Sequence, residues 1–304
     1  MAGIDNKRLL RKNNRYLISV EETNSVVAMD AGIIIYLITL ISVFYMLRYT
    51  PHANEHPLHY FTVISNLLSA TGAAFMFPYA VEGIRKKRFI LPRWLVLFQY
   101  SGATCVTITL VSSLAIILPT QGITSLAGAN FWLHIITPFL TVLLFESVET
   151  GYAITFRESL IALIPYWIYM SIYSVMVLII GKENGGWSDF YMTKAFWPAW
   201  VSIILMLGIG LGVSAILRLV QNMRAKQNRR RISKMWTENL EPHEILVEAF
   251  GLGRHIGARC SKEEITVPLD VFTMMSKRYN VSVEKLSKAY LKGAFDAINE
   301  RMGK

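Results

Sequence analysis

Two side chains suited to covalent chemistry, a threonine hydroxyl and a histidine imidazole, occur in two different apolar stretches of the chain. Thr62 lies near the start of one stretch, and His134 is the single histidine of another. A neutral imidazole can take the proton of a hydroxyl and thereby make it a nucleophile. Burial favours the neutral form. We therefore expect Thr62 to be a nucleophile and His134 its general base. The alternative is that His134 is a hydrogen-bonded structural group.

Polar neighbours on the same helical faces could line a pocket around this pair. Ser65 and Asn66 follow Thr62 within one helical turn, and a buried amide is costly without a partner. We expect Ser65 or Asn66 to stabilise an oxyanion. Thr137 follows His134 by three residues, and Pro138 should open the helix backbone next to it. The smaller residues Ser69, Gly72 and Ala73 are expected only to pack helices.

Three tyrosines form one stripe on a later apolar stretch, at positions 166, 169 and 173. Core packing explains such a stripe, but the phenols could also donate to an oxyanion or shape an acyl-chain cavity. Asp189, in the loop that follows, is a candidate for orienting His134. No metal or other cofactor is predicted, and Cys105 and Cys260 should lie in different compartments.

The composition indicates what must hold these groups together. The 304 residues are 53% hydrophobic and 17% charged, with a mean hydropathy of +0.37. This apolar excess excludes an ordinary soluble domain. A helix needs about 20 apolar residues to cross a membrane. Six stretches qualify, at about 29–49, 58–82, 94–118, 128–149, 158–181 and 195–222. The predicted fold is therefore an all-α integral membrane protein with six transmembrane helices.

Basic residues predict the orientation of these spans. They concentrate in the N-terminal segment 1–28, in the link after the second span and after the sixth span. Because positive residues favour the cytoplasmic side, both termini are expected to be cytosolic in a multi-pass protein of the cell membrane. Thr62 and His134 would then lie about four and five residues inside the outer ends of their spans.

The C-terminal segment 223–304 is predicted to combine a basic linker with a small cytosolic helical domain. The run Arg224 to Lys234 is expected to contact anionic lipid head groups, and no fold signature supports nucleic-acid binding. Three helices are expected: from Pro242 to Gly251, from about Pro268 towards Asn280, and from the cap Ser282. The last carries Val283, Leu286, Tyr290, Phe295 and Ile298 at roughly helical spacing. So short a domain should dock on the membrane domain or self-associate, but no oligomeric state is predicted.

The order of these motifs resembles a known family. Tyr60-Phe61-Thr62, with Ser65-Asn66, opens one span, His134 to Pro138 forms a His-x-x-Thr-Pro element, and a Gly-Trp-x-x-Phe-Tyr loop follows an aromatic span. Over about residues 30–220 the chain resembles the androgen-induced and androgen-dependent transmembrane threonine hydrolases and their uncharacterised six-span bacterial relatives. The resemblance implies Thr62 as nucleophile, His134 as base, and fatty-acid esters of hydroxy fatty acids as substrates. The family has a second histidine upstream, whereas this chain offers only Asn130 there.

The residues and the resemblance favour a lipid-ester hydrolase or acyltransferase whose substrate is a membrane lipid. Two alternatives remain. The same cavity could bind a lipid without turnover and signal through the tail. A transporter is less favoured, because the chain lacks internal repeats and mid-membrane acids.

Overall fold

The computed structural model describes residues 3–49, 56–86, 89, 91–148, 153–191, 193–194, 198–237, 245–258, 265–279 and 281–301. Within them the chain is helical and has no β-strand. The first part holds six long helices: α1 (Gly3–Tyr49), α2 (Phe61–Lys86), α3 (Arg93–Gln121), α4 (Ala129–Val148), α5 (Phe156–Ile180) and α6 (Ala199–Thr237). Each contains a segment long and apolar enough to cross a membrane, which confirms the prediction of six such helices.

Helix α3 occupies the centre of the bundle. It contacts α2, α4, α5 and α6, whereas α1 packs on α2 and α4. Small residues allow the close contacts: a methyl group added at Gly102 would come within 3.2 Å of the Ser69 backbone. Ser69 also exchanges a 2.8 Å hydrogen bond with Thr141 across α2 and α4. This packing agrees with the interpretation of the small residues on α2.

The predicted segment boundaries at residues 28 and 222 both fall inside continuous helices. Helix α1 runs from Gly3 to Tyr49, and its apolar span begins at Thr23. Helix α6 continues to Thr237, beyond its apolar span, which ends at Gln227. Neither junction contains a glycine or proline, so nothing in the backbone ends the helix where the composition changes.

Two of the membrane helices contain a wide turn immediately before a proline. In α4 the Thr137 amide donates to the carbonyl of Trp132, five residues back, and Pro138 follows. In α3 the Leu118 amide donates to Ser113, and Pro119 follows. A proline has no amide hydrogen and cannot bond the carbonyl four residues before it, so the helix widens locally.

Helices α1, α3 and α5 end, and α2, α4 and α6 begin, on one side of the bundle, which we call the Thr62 side. On the opposite side Arg93 of α3 holds Glu158 of α5 through two hydrogen bonds of 2.9 and 2.6 Å. Asn222 of α6 exchanges hydrogen bonds with the backbone of Ile154. These contacts fix the ends of the helices away from Thr62.

Three shorter helices follow α6: α7 (Ile245–Gly257), α8 (Leu269–Tyr279) and α9 (Val283–Arg301). The Ser282 hydroxyl accepts the Lys285 amide at 3.3 Å, as predicted for a cap.

Helix α7 does not stop at Gly251, because Gly253 and Gly257 lie against the backbone of α9 and packing overrides propensity. Phe295 is 39% exposed, and Ala294 and Ala297 are buried instead. Pro242 and Cys260 lie outside the described residues, whereas Cys105 is buried.

Candidate functional site

Thr62 and His134 meet on the Thr62 side of the bundle. The Thr62 Oγ1 atom lies 3.0 Å from Nε2 of His134, and the two side chains are 6% and 7% exposed. The other ring nitrogen, Nδ1, lies 2.9 Å from the backbone carbonyl oxygen of Asn130. Both ring nitrogens are therefore engaged, and the plane of the imidazole is fixed from both ends.

The carbonyl of Asn130 decides the direction of these hydrogen bonds. A carbonyl oxygen only accepts, so Nδ1 must carry the hydrogen. In the neutral imidazole Nε2 is then an acceptor, and the Thr62 hydroxyl donates to it. This is the arrangement required of a hydroxyl that is to be deprotonated by histidine.

Local backbone structure positions each member of the pair. A short turn at Pro57–His59, capped by the imidazole of His56, precedes α2. Helix α2 begins at Phe61, so Thr62 stands one residue inside the helix rather than the four expected from hydropathy. His134 is in the wide turn of α4 before Pro138. The predicted start of this span, at about residue 58, was wrong because the turn at Pro57–His59 precedes the helix.

Ser65 and Asn66 do not offer free donors to an oxyanion, contrary to the expectation. The Asn66 amide nitrogen donates to the carbonyls of Thr62 and Leu133, at 2.7 and 2.9 Å. The Ser65 hydroxyl lies 3.1 Å from the Thr62 carbonyl and 2.9 Å from Thr109 Oγ1. Both side chains instead bond the first turns of α2 to neighbouring helices. Ser65 contacts Thr109 of α3, and Asn66 donates to the carbonyl of Leu133, the residue before His134 in α4.

Thr137 is buried but does not line a cavity with Thr62. Its hydroxyl has no hydrogen-bond partner among the described residues, and the same holds for Oδ1 of Asn66. The expectation that Thr137 helps to form the pocket is therefore not met. The widened turn before Pro138 changes the angular position of Thr137 relative to a regular helix.

The three tyrosines of α5 are buried, and each hydroxyl donates to another group. Tyr166 donates to the Met206 carbonyl and Tyr169 to the His59 carbonyl, both at 2.8 Å. Tyr173 donates to Oδ1 of Asp189 at 2.7 Å. Tyr166 and Tyr169 line the cavity beside Thr62, whereas Tyr173 does not. The expectation of phenolic oxyanion donors fails for these three because their protons are already used.

Asp189 does not orient His134. Its carboxylate accepts from the Tyr173 hydroxyl, from the amide and hydroxyl of Thr193, and from the Lys194 amide. Burial alone would raise the pKa of Asp189, but these hydrogen bonds outweigh it and hold the pKa below its usual value. Asp189 therefore organises the loop after α5, and the backbone of Asn130 orients the histidine.

Tyr191 is a site residue that the sequence analysis did not single out. Its hydroxyl accepts the Phe61 amide at 3.0 Å, at the N-terminus of α2, and its side chain lines the cavity with Thr62. Burial of the hydroxyl raises the pKa of Tyr191 to about 12, so it stays protonated at neutral pH. A phenol that accepts from a helix N-terminus becomes a stronger donor. The available signal is the Phe-Tyr end of the Gly-Trp-x-x-Phe-Tyr loop.

The cavity between Thr62, Thr109, Tyr169 and Tyr191 has a volume of about 20 Å³. A cavity of roughly 10–15 Å³ on this measure holds one water molecule. The space beside Thr62 is thus the size of a single water. Among the described residues no group of three or more histidine, cysteine or acidic side chains is placed to hold a metal ion.

No family model, curated protein or solved structure matches this chain.

Proposed function

We propose that the protein is a membrane hydrolase or acyltransferase that acts on lipid acyl esters through a covalent Thr62 intermediate. The observation that carries the proposal is the 3.0 Å contact between Thr62 Oγ1 and His134 Nε2, combined with the Asn130 carbonyl that fixes the tautomer. Hydroxyl, base and orienting group are the three parts of an activated nucleophile.

In the first half of the reaction Nε2 takes the Thr62 proton while Oγ1 attacks the ester carbonyl. The Tyr191 hydroxyl, which lines the cavity beside Thr62, is the proposed donor to the negative charge on the carbonyl oxygen, and it must turn from its contact with the Tyr169 hydroxyl to make this bond. The tetrahedral intermediate collapses as the imidazolium returns the proton to the leaving alcohol. The products are an alcohol and an acyl ester on Thr62.

In the second half water or another alcohol occupies the place of the leaving group. His134 takes its proton, its oxygen attacks the acyl carbonyl, and the imidazolium then protonates Thr62 Oγ1. The water-sized cavity beside Thr62 supports this step, since a nucleophilic water needs a site next to the acyl group. Water yields a free fatty acid, and an alcohol acceptor yields a new ester.

The proposed setting is the cell membrane, with both termini cytosolic and the Thr62 side outermost. The support is the concentration of basic residues in 1–28, in the link after α2 and in 224–234. The run from Arg224 to Lys234 would contact anionic lipid head groups. The motifs around Thr62 and His134 resemble those of the transmembrane threonine hydrolases. This resemblance supports fatty-acid esters of hydroxy fatty acids as the proposed substrate class.

Labelling with a fluorophosphonate probe tests the proposal. We expect the purified protein to form an adduct, Thr62→Ser to retain it, and Thr62→Ala and His134→Ala to lose it. Thr71→Ala is the matched control, because Thr71 lies on the same helix, is exposed, and bonds its own helix backbone at Leu67. Labelling of Thr62→Ala at the wild-type level, or a wild-type protein inert to both probe and lipid esters, would contradict it.

A second candidate is a lipid sensor that binds without turnover. It is favoured by α6, which runs without a break from Met206 at the cavity to Thr237 and contacts α7 and α8. A wild-type protein that binds a lipid beside Thr62 but ignores the probe would favour this candidate. Deletion of the helices that follow α6 should then leave lipid binding intact and abolish the signal that binding produces in the cell.

A further inference from the structure

A second, larger crevice lies between α5 and α6 and opens on the outer surface of the bundle. Its volume is about 510 Å³, and it is open along its outer side rather than enclosed. It is lined by residues from one face of α5 and one face of α6: Trp167, Met170, Ser171, Ser174, Ile203 and Leu207.

The two serines give the crevice depth without making it polar. The Ser171 hydroxyl donates to the Trp167 carbonyl at 2.9 Å, and the Ser174 hydroxyl donates to the Met170 carbonyl at 2.7 Å. Both hydrogen-bonding needs are therefore met within α5. The remaining wall is apolar, and the small side chains leave room that larger ones would fill.

Met170 belongs to both the crevice and the cavity beside Thr62. It is 4% exposed and lines both spaces. On α6, Met206 lines the cavity beside Thr62 and the next residue, Leu207, lines the crevice. Methionine is unbranched and adapts its shape easily. Met170 therefore stands between the two spaces.

The depths of the two spaces match the layout of a lipid ester. Thr62 stands in the first turn of α2, near the membrane surface. Met170 lies ten residues before Ile180, the end of α5, which corresponds to at most about 15 Å at 1.5 Å per residue, because Val175–Ile180 forms wider turns that rise less. That is about half of a hydrocarbon layer of roughly 30 Å. A lipid likewise holds its ester near the surface and its chain towards the middle.

We propose that the α5–α6 crevice is the acyl-chain subsite, and that a long unbranched chain enters it sideways from the bilayer past Met170. This inference rests on the proposed function for its catalytic meaning. It adds the place where the acyl chain of the ester is held and an entry route between two helices. The Thr62 cavity, at about 20 Å³, cannot hold such a chain itself.

Chain-length selectivity tests the subsite. Ser174→Phe fills the crevice, and Ile172→Phe is the matched control, because Ile172 is on the same helix, is 47% exposed, and does not line the crevice. We expect Ser174→Phe to lower the ratio of the rate on para-nitrophenyl palmitate to that on para-nitrophenyl butyrate roughly tenfold or more. Ile172→Phe should leave the ratio unchanged. An unchanged ratio in Ser174→Phe overturns the subsite.

Photo-crosslinking decides the same question without catalysis. In liposomes containing palmitic acid with a mid-chain diazirine, we expect Thr62→Ala protein to be labelled at crevice residues more heavily than at Ile168 or Ile172. Ser174→Phe should remove this excess. Labelling that is equal at crevice and lipid-facing positions overturns the subsite. Crevice labelling in a protein that hydrolyses neither ester retains the subsite and refutes the proposed function.

Discussion

Replacing Thr62 with valine removes the hydroxyl and keeps the shape of the side chain. The change leaves Nε2 of His134 as a buried acceptor without its partner. An unsatisfied buried group costs about 1–3 kcal/mol. We therefore expect Thr62→Val to lower the free energy of unfolding by that amount, as well as to abolish covalent labelling.

A double-mutant cycle with His134→Leu isolates the contact itself. Hydrogen bonds between membrane helices contribute about 0.6 kcal/mol on average and up to about 1.7 kcal/mol. The Thr62–His134 bond is 3.0 Å long and both side chains are buried. We expect a coupling of about 0.6–1.7 kcal/mol, because the double variant lacks both partners of the bond and so leaves neither of them unsatisfied.

The assay is reversible unfolding in mixed micelles with a denaturing detergent. The buried pair Ser69 and Thr141 joins the same two helices with a 2.8 Å bond and provides the control cycle. Its variants should also lose stability but should keep fluorophosphonate labelling. A coupling near zero between Thr62 and His134 would refute the hydrogen-bonded pair as the basis of the site.

Three further predictions concern other parts of the molecule. Arg93→Gln breaks two charged hydrogen bonds to Glu158 and should cost roughly 1.5–3 kcal/mol in detergent unfolding, whereas Glu284→Gln at the exposed pair with Lys288 should cause no measurable change. Gly253→Ala places a methyl against the Tyr290 carbonyl and should expose the tail to proteolysis; Gly208→Ala, with open space around it, should not. The pKa of Asp189 is below its usual value. The stabilisation that its carboxylate gives to the loop is therefore present above about pH 4, and it is lost as the pH falls through the pKa of the folded state. The protection factors for amide exchange in residues 189–191, 193 and 194 should therefore fall below about pH 4, and Asp189→Asn should show the lower protection factors already at pH 7.

The six membrane helices could be predicted because hydropathy acts over about 20 residues and does not depend on partners. Their ends could not, because a helix ends at backbone signals rather than where composition changes. Helix α6 shows this: it passes from apolar to basic residues at about 222 and continues to Thr237. The turn at Pro57–His59 shows the converse, since apolar residues there do not join the helix.

Thr62 and His134 could be singled out because their chemistry follows from residue type. Their supporting groups could not, because a polar side chain binds whatever the fold brings near. Asn66 has the right chemistry for an oxyanion donor, yet it donates to the carbonyl of Leu133. Asp189 has the right chemistry to orient a histidine, yet Tyr173 and the loop 193–194 engage it. Tyr191 reaches the site from a loop that the Gly-Trp-x-x-Phe-Tyr motif marks, but the motif does not indicate the path of that loop.

The group that orients His134 is a backbone carbonyl, and this has consequences for both genetics and titration. No change of side chain at position 130 removes it, so a scan of single substitutions would find Thr62, His134 and Tyr191 but miss the group that orients the histidine. A carbonyl also has no proton to gain in the ordinary pH range, unlike the carboxylate of a serine-protease triad. Of the hydroxyl, the base and the orienting group, His134 is then the one that titrates in the ordinary pH range. The activity should therefore fall at acidic pH along a curve described by a single ionisation. Replacing the peptide bond that follows Asn130 with an ester would weaken the carbonyl as an acceptor and shift that limb without altering any side chain.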